Sequence, residues 1–147
     1  MSQNSVLYDE DFFAWTIEQA RLLRAGEFSA VDAANVAEEI ESMGRGDRRE
    51  LQSRLVVLIM HLLKWHFQPS ARSRSWSATI DEQRLQIDQA FAESPSLRPL
   101  AGGMLPQAYA IARERAIAET GFADDIFPAT CSFTLAEVLT RSFLPEH

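Results

Sequence analysis

The chain carries a single cysteine, Cys131, among its 147 residues. That excludes an intramolecular disulfide and any cysteine-built zinc cluster, and it fits a reducing cytoplasm. Positive charge is in the minority: 14 Lys and Arg stand against 21 Asp and Glu, a net charge of −7 at pH 7. Such a balance argues against a general nucleic-acid binder, whose affinity comes from a basic surface. Long hydrophobic runs are missing too. The most apolar stretch, Leu55 to Leu63, is nine residues bracketed by Arg54 and Lys64, whereas a membrane-spanning helix needs about twenty. The polar, acidic start of the chain does not read as a secretory signal. The six glycines are scattered, so neither a P-loop nor a Gly-x-Ser-x-Gly nucleophile elbow is formed. No glutamate is followed three residues later by histidine, which removes the paired motif of a helical di-metal bundle. We expect no metal and no cofactor.

What is present is helical periodicity. The length suits one domain, 1–147, with residues 1–8 as a loose lead-in. The spacing of Leu51, Leu55, Leu58, Leu62 and Trp65, with Val56, Ile59 and Leu63 beside them, predicts a buried central helix over about 47–68. Asp47 and Glu50 fit a capping box at its start, and Pro69 ends it. A first helix is expected from Asp9 or Asp11 to Ala25, with Gly26 as its stop. Its apolar residues, Phe12, Trp15, Leu22 and Leu23, widened by Phe13 and Ile17, are expected to pack on the central helix. A second helix, capped by Ser29 and closed by Gly44, carries Ala33, Val36, Ala37, Ile40 and Met43 on one narrow face. A fourth begins at Ser73 or Ser75 and runs to about Glu93. Ser94-Pro95 reads as a restart, Pro106 as a kink or break, Gly121 as a stop, and Thr134 with Glu137 as a capping box. Six or seven helices without a convincing strand make an all-α bundle.

Charge is unevenly placed. Residues 1–44 hold 2 basic and 9 acidic residues, whereas residues 45–84 hold 8 basic and 4 acidic. The basic middle contains the most suggestive cluster, Arg72, Arg74 and Trp76. Two arginines at a helix start suit a phosphate or carboxylate, and an aromatic beside them suits a ring. The plainer reading is a loop whose arginines pair with acids and whose tryptophan is core. Arg84 falls inside the apolar stripe of Trp76, Ile80, Ile87 and Phe91, so its stem should be buried and its charge should need a partner. Glu38, Glu39 and Glu41 are the expected source, Glu39 and Glu41 above all. His61 lies on the one polar stripe of the central helix. It reads as a ligand or proton carrier, or more plainly as a partly exposed histidine beside Trp65.

Several segments resemble a known family. Tyr8-Asp-Glu-Asp-Phe-Phe-Ala-Trp15, Asn35-Val-Ala-Glu-Glu-Ile-Glu-Ser-Met-Gly44, His61-Leu-Leu-Lys-Trp65, Arg72-Ser-Arg-Ser-Trp76 and Ser94-Pro-Ser-Leu97 are similar, in that order, to the bacterial domain-of-unknown-function family 29. The resemblance implies a small all-helical cytoplasmic protein and no accepted catalytic residues. The expected function is a non-enzymatic module that binds another protein, with self-association left open. A second reading is an enzyme or small-ligand binder using residues 72–76 against the acidic second helix. A nucleic-acid-associated regulator is the least favoured.

Overall fold

The computed structural model describes residues 3–146, with side chains from Val6 onward. The fold is all-α: six α-helices and four short 3-10 turns among the described residues, with no strand. Contacts group the chain into two compact units, Met1–Asp47 and Arg48–His147.

The first unit opens with a helix, α1 (Gln3–Glu10), where the sequence suggests a loose lead-in. Asp11 interrupts it and starts α2 (Phe12–Ala25), its side chain accepting the Ala14 amide. Of the two aspartates expected to cap α2, Asp11 is the one that does. Gly26 closes α2 at φ 74°, a left-handed conformation that glycine takes without the Cβ clash. Trp15, Gln19 and Leu22 are buried. The Trp15 indole N–H donates to Asp32 Oδ2 at 3.1 Å, and Gln19 Oε1 accepts the Asp32 amide at 2.7 Å. Thus α2 is fastened to the segment after it by two buried polar contacts as well as by packing. The rest of its expected packing face behaves otherwise: Phe12, Phe13, Ile17 and Leu23 are exposed. Ser29 lies inside a 3-10 turn, Phe28–Ala30, instead of capping a helix.

One helix replaces the expected second and central helices. α3 spans Ala33–Phe67 without a break, and the boundary between the units falls within it. Gly44 and Gly46 are both helical, and neither has a positive φ. The Asp47–Glu50 capping box is therefore absent. The reason is cooperativity. Two glycines in a helix interior cost about 2 kcal/mol together, whereas nucleating a fresh helix, with σ about 10⁻³, costs about 4 kcal/mol. Arg45 also straps the glycine segment, reaching Glu38 at 2.7 Å and Glu41 at 3.8 Å. Residues 40–50 are exposed on every side of the helix, so the apolar face expected to hold Ile40 and Met43 in a core does not exist.

In the second unit the C-terminal half of α3 is the core. Leu55, Leu58, Ile59, Leu62 and Leu63 are fully buried. α4 (Arg74–Glu93), capped by Ser73 through the Trp76 amide, brings Ile80, Ile87 and Phe91 to the same cluster. Ser94-Pro95 begins a 3-10 turn rather than a capped helix, and α5 (Arg98–Thr120) follows directly. Pro106 sits inside α5, which runs on past it to a left-handed Gly121. Ala101, Ala108, Ala112 and Ala116 are fully buried along α5, and small side chains let a helix approach its neighbours closely. Phe127 seals the loop after α5. The last helix, α6 (Leu135–Leu139), carries the predicted Thr134–Glu137 capping box. Beyond it Phe143 and Leu144 fold back on the core, Phe143 edge-on to Phe133 at 6.0 Å between ring centres.

Candidate functional site

The final two turns of α3 and the start of α4 bring together charged and aromatic side chains of the second unit. Lys64 lies in the last turn of α3, where the helix dipole favours a cation. Its ammonium pairs with Glu119 Oε1 of α5 at 3.0 Å and stands 4.7 Å from the centre of the Trp76 ring. With 4% exposure it is one of four buried polar or charged residues among those described. Arg72 repeats the motif one step away. Its Nε donates to the Trp65 carbonyl at 2.8 Å, and its guanidinium lies 5.2 Å from the Trp65 ring centre. Two cations thus rest on two tryptophan faces, which attract them through the ring quadrupole.

His61 stands one helical turn before Lys64. Its Nδ1 lies 2.8 Å from the Val57 carbonyl, and a carbonyl can only accept, so Nδ1 carries the proton and Nε2 keeps its lone pair. Burial is the main cause that lowers its pKa from the ordinary value, with the Lys64 charge adding to it and the Val57 bond and Glu119 opposing. Two buried polar atoms lack a hydrogen-bond partner among the described residues here: Arg72 Nη2 and His66 Nδ1.

The other sequence-selected residues are distributed differently. Arg74, the first residue of α4, is exposed, and Trp76 is half-buried beneath Lys64. Arg84 is buried as expected, with 1% exposure. Its partner is a correction: the guanidinium meets main-chain carbonyls, not a carboxylate. Nε donates to Val138 O at 2.8 Å, Nη1 to Arg141 O at 3.3 Å and Nη2 to Glu137 O at 3.3 Å. A five-residue helix leaves its last carbonyls without intrahelical donors, and a forked cation satisfies several at once. The three glutamates belong to the first unit and have partners there. Glu38 and Glu41 pair with Arg45, and Glu39 accepts the Tyr8 hydroxyl. That bond, followed by desolvation and the neighbouring carboxylates, pushes the Tyr8 phenol from 10.0 up to about 12.

Lys64 is the residue that sequence reasoning missed, having been read as the charged end of an apolar run and as a member of the polar stripe that carries His61, whereas it is buried. The available signal was its place one turn after His61 and next to Trp65. Elsewhere in this unit an open depression of about 510 Å³ is lined by Ala78, Asp81, Glu82, Leu85 and Arg141; none of the selected residues lines it. Among the described residues no group of three His, Cys, Asp or Glu is placed to hold a metal, and no helix is long and apolar enough to cross a membrane. The cysteine is half-buried, its thiol donating to Phe133 O at 3.3 Å, and burial pushes its pKa up.

A family model described as "Domain of unknown function DUF29" matches residues 7–144. No curated protein and no solved structure matches the chain.

Proposed function

We propose, for a chain that belongs to the DUF29 family and draws no activity from that membership, that it is a non-enzymatic protein-interaction module of the bacterial cytoplasm. Its contact face is the first unit. One observation carries this reading. Seven of the ten exposed large hydrophobics among the described residues lie in the first 47: Phe12, Phe13, Ile17, Leu23, Phe28, Ile40 and Met43. Phe13 and Phe28 are 75% and 68% exposed. Scattered apolar residues are ordinary on a surface, but concentration in one small unit marks an interaction site. The test is a photo-reactive amino acid placed at Phe13, at Phe28 or, as control, at Glu82 on α4, followed by identification of the cross-linked product. The expected result is one protein recovered from the first two positions and not from Glu82. Equal, non-recurrent labelling from all three would overturn the reading.

A second reading, a small anion held at the α3–α4 junction, is supported by the unpaired Arg72 Nη2. Thermal shifts with phosphate, nucleotides and carboxylates test it: stabilisation by one anion that disappears in Arg72→Gln supports a site, and no shift with any of them removes it.

A further inference from the structure

α2 is apolar on two sides. Trp15, Gln19 and Leu22 are buried on one of them. Phe13, Ile17 and Ala20 recur at four- and three-residue spacing on another, and Ile17 is 57% exposed. A helix needs only one apolar stripe to pack within its own unit. The row, exposed except for the half-buried Ala20, continues four residues on to Arg24, in the last turn. The two ends of α2 differ in charge: Asp9, Glu10 and Asp11 stand at its start, whereas its last turn carries Arg24, with Arg21 paired to Glu18 and Glu27 just past Gly26.

Together the row and the charges specify an occupant. A parallel copy would set acid against acid and arginine against arginine. An antiparallel copy, related by a twofold axis between Ile17 and Ala20, sets each Ile17 over the smaller Ala20 of the other helix. It also brings each Arg24 to the Phe13 ring and the Asp9–Asp11 carboxylates of the other. Such a contact is isologous and closes at two copies. We propose that the exposed row of α2 binds a second copy of this chain, as an antiparallel α2 pair. The proposal rests on the reading of the first unit as the contact face, and names what covers it. The acidic excess over residues 1–44, 9 acidic to 2 basic, opposes the approach of a second copy. Physiological salt screens that repulsion beyond about 8 Å and leaves the close charge contacts of the pair.

The test is sedimentation equilibrium of the full chain from low to high micromolar concentration. The mass should rise toward twice the monomer's. Ile17→Asp, at an exposed position that the fold tolerates, should hold it at the monomer mass with an unchanged circular-dichroism spectrum. Glu10→Arg and Arg24→Glu should each weaken association several-fold. An equimolar mixture of those two variants should restore it, because each presents the charge the other needs. A wild-type chain that stays monomeric, or a mixture no stronger than its components, overturns the proposal. If the chain is monomeric while Phe13 still cross-links to one host protein, self-pairing falls and the reading of the face stands. If both fail, that reading falls as well.

Discussion

Arg84 keeps a permanent charge in a place that water does not reach, so its value to the fold lies in the three carbonyls that it satisfies. Burial pulls its pKa down from the ordinary value, with the charge of Asp81 opposing, yet a guanidinium stays protonated at any ordinary pH. Arg84→Met keeps most of the stem and deletes the fork, leaving Val138 O and Arg141 O without this donor while Glu137 O keeps the Thr140 amide. The expected loss is about 2–4 kcal/mol in urea unfolding, from the acceptors left unsatisfied; a loss no larger than that of an exposed arginine variant such as Arg74→Met would refute the assignment. His61 gives a pH test. Its folded pKa is below the unfolded value of about 6.5, mainly through burial. The unfolded chain therefore takes up the proton first as pH falls. The stability associated with neutral His61 is complete above about pH 6.5 and is lost as pH drops from there toward the folded pKa. Wild type should lose more melting temperature between neutral pH and pH 5 than His61→Gln does. Parallel pH profiles would show that the ring is not held neutral. Tyr8 titrates at the other end of the scale. Its phenol should ionise near pH 12 in an ultraviolet titration, and Glu39→Gln should return it toward 10.

At the scale of elements, α3 makes the sharpest claim. A Cβ built on Gly44 or Gly46 meets nothing within 4 Å, and both lie in helical conformation. Gly44→Ala and Gly46→Ala should each stabilise the protein by about 0.5–1 kcal/mol, through the helix and through the entropy of the unfolded chain. Destabilisation in thermal melts would mean that the helix breaks there, as the sequence alone suggests. This is also where legibility ends. Caps made by one residue with its near neighbours, at Asp11, Ser73 and Thr134, and stops made by glycine at Gly26 and Gly121, were readable because their causes are local. The fusion of two expected helices into α3 was not, since it turns on the balance between two glycines and a nucleation step. The burial of Arg84 was legible from its stripe, but its partner was not, because main-chain acceptors are the same in every sequence. Lys64 was hidden in the same way: its carboxylate lies 55 residues away in the chain.

At the scale of the molecule, the two units differ in what holds them. The second has a continuous cluster from Leu51 to Val138. Among the described residues of the first, the buried ones are Trp15, Leu22, Gln19 and Asp32, two of them polar. Local opening should therefore be easier in residues 3–47. Hydrogen exchange is expected to protect amides of α2 at least tenfold less than those of Leu55–Leu63, and equal protection would mean that the chain unfolds as one cooperative body. Easier opening there would suit a face that orders further on contact with a partner.

The Arg84 clamp also orders events in time. A ribosome delivers the arginine 53 residues before the first of its acceptors, Glu137, and 57 before Arg141. Until then the growing chain can collapse around Leu55 and Ile59 only by leaving the guanidinium hydrated, so the interior stays open at that point. Closing a loop of that length costs about 3.5 kcal/mol of chain entropy, which the carbonyl contacts and the packing of Val138, Phe143 and Leu144 must offset together. Completion of the second unit thus waits for residues 137–141 to be made, and a chain cut before Glu137 cannot dry its own core.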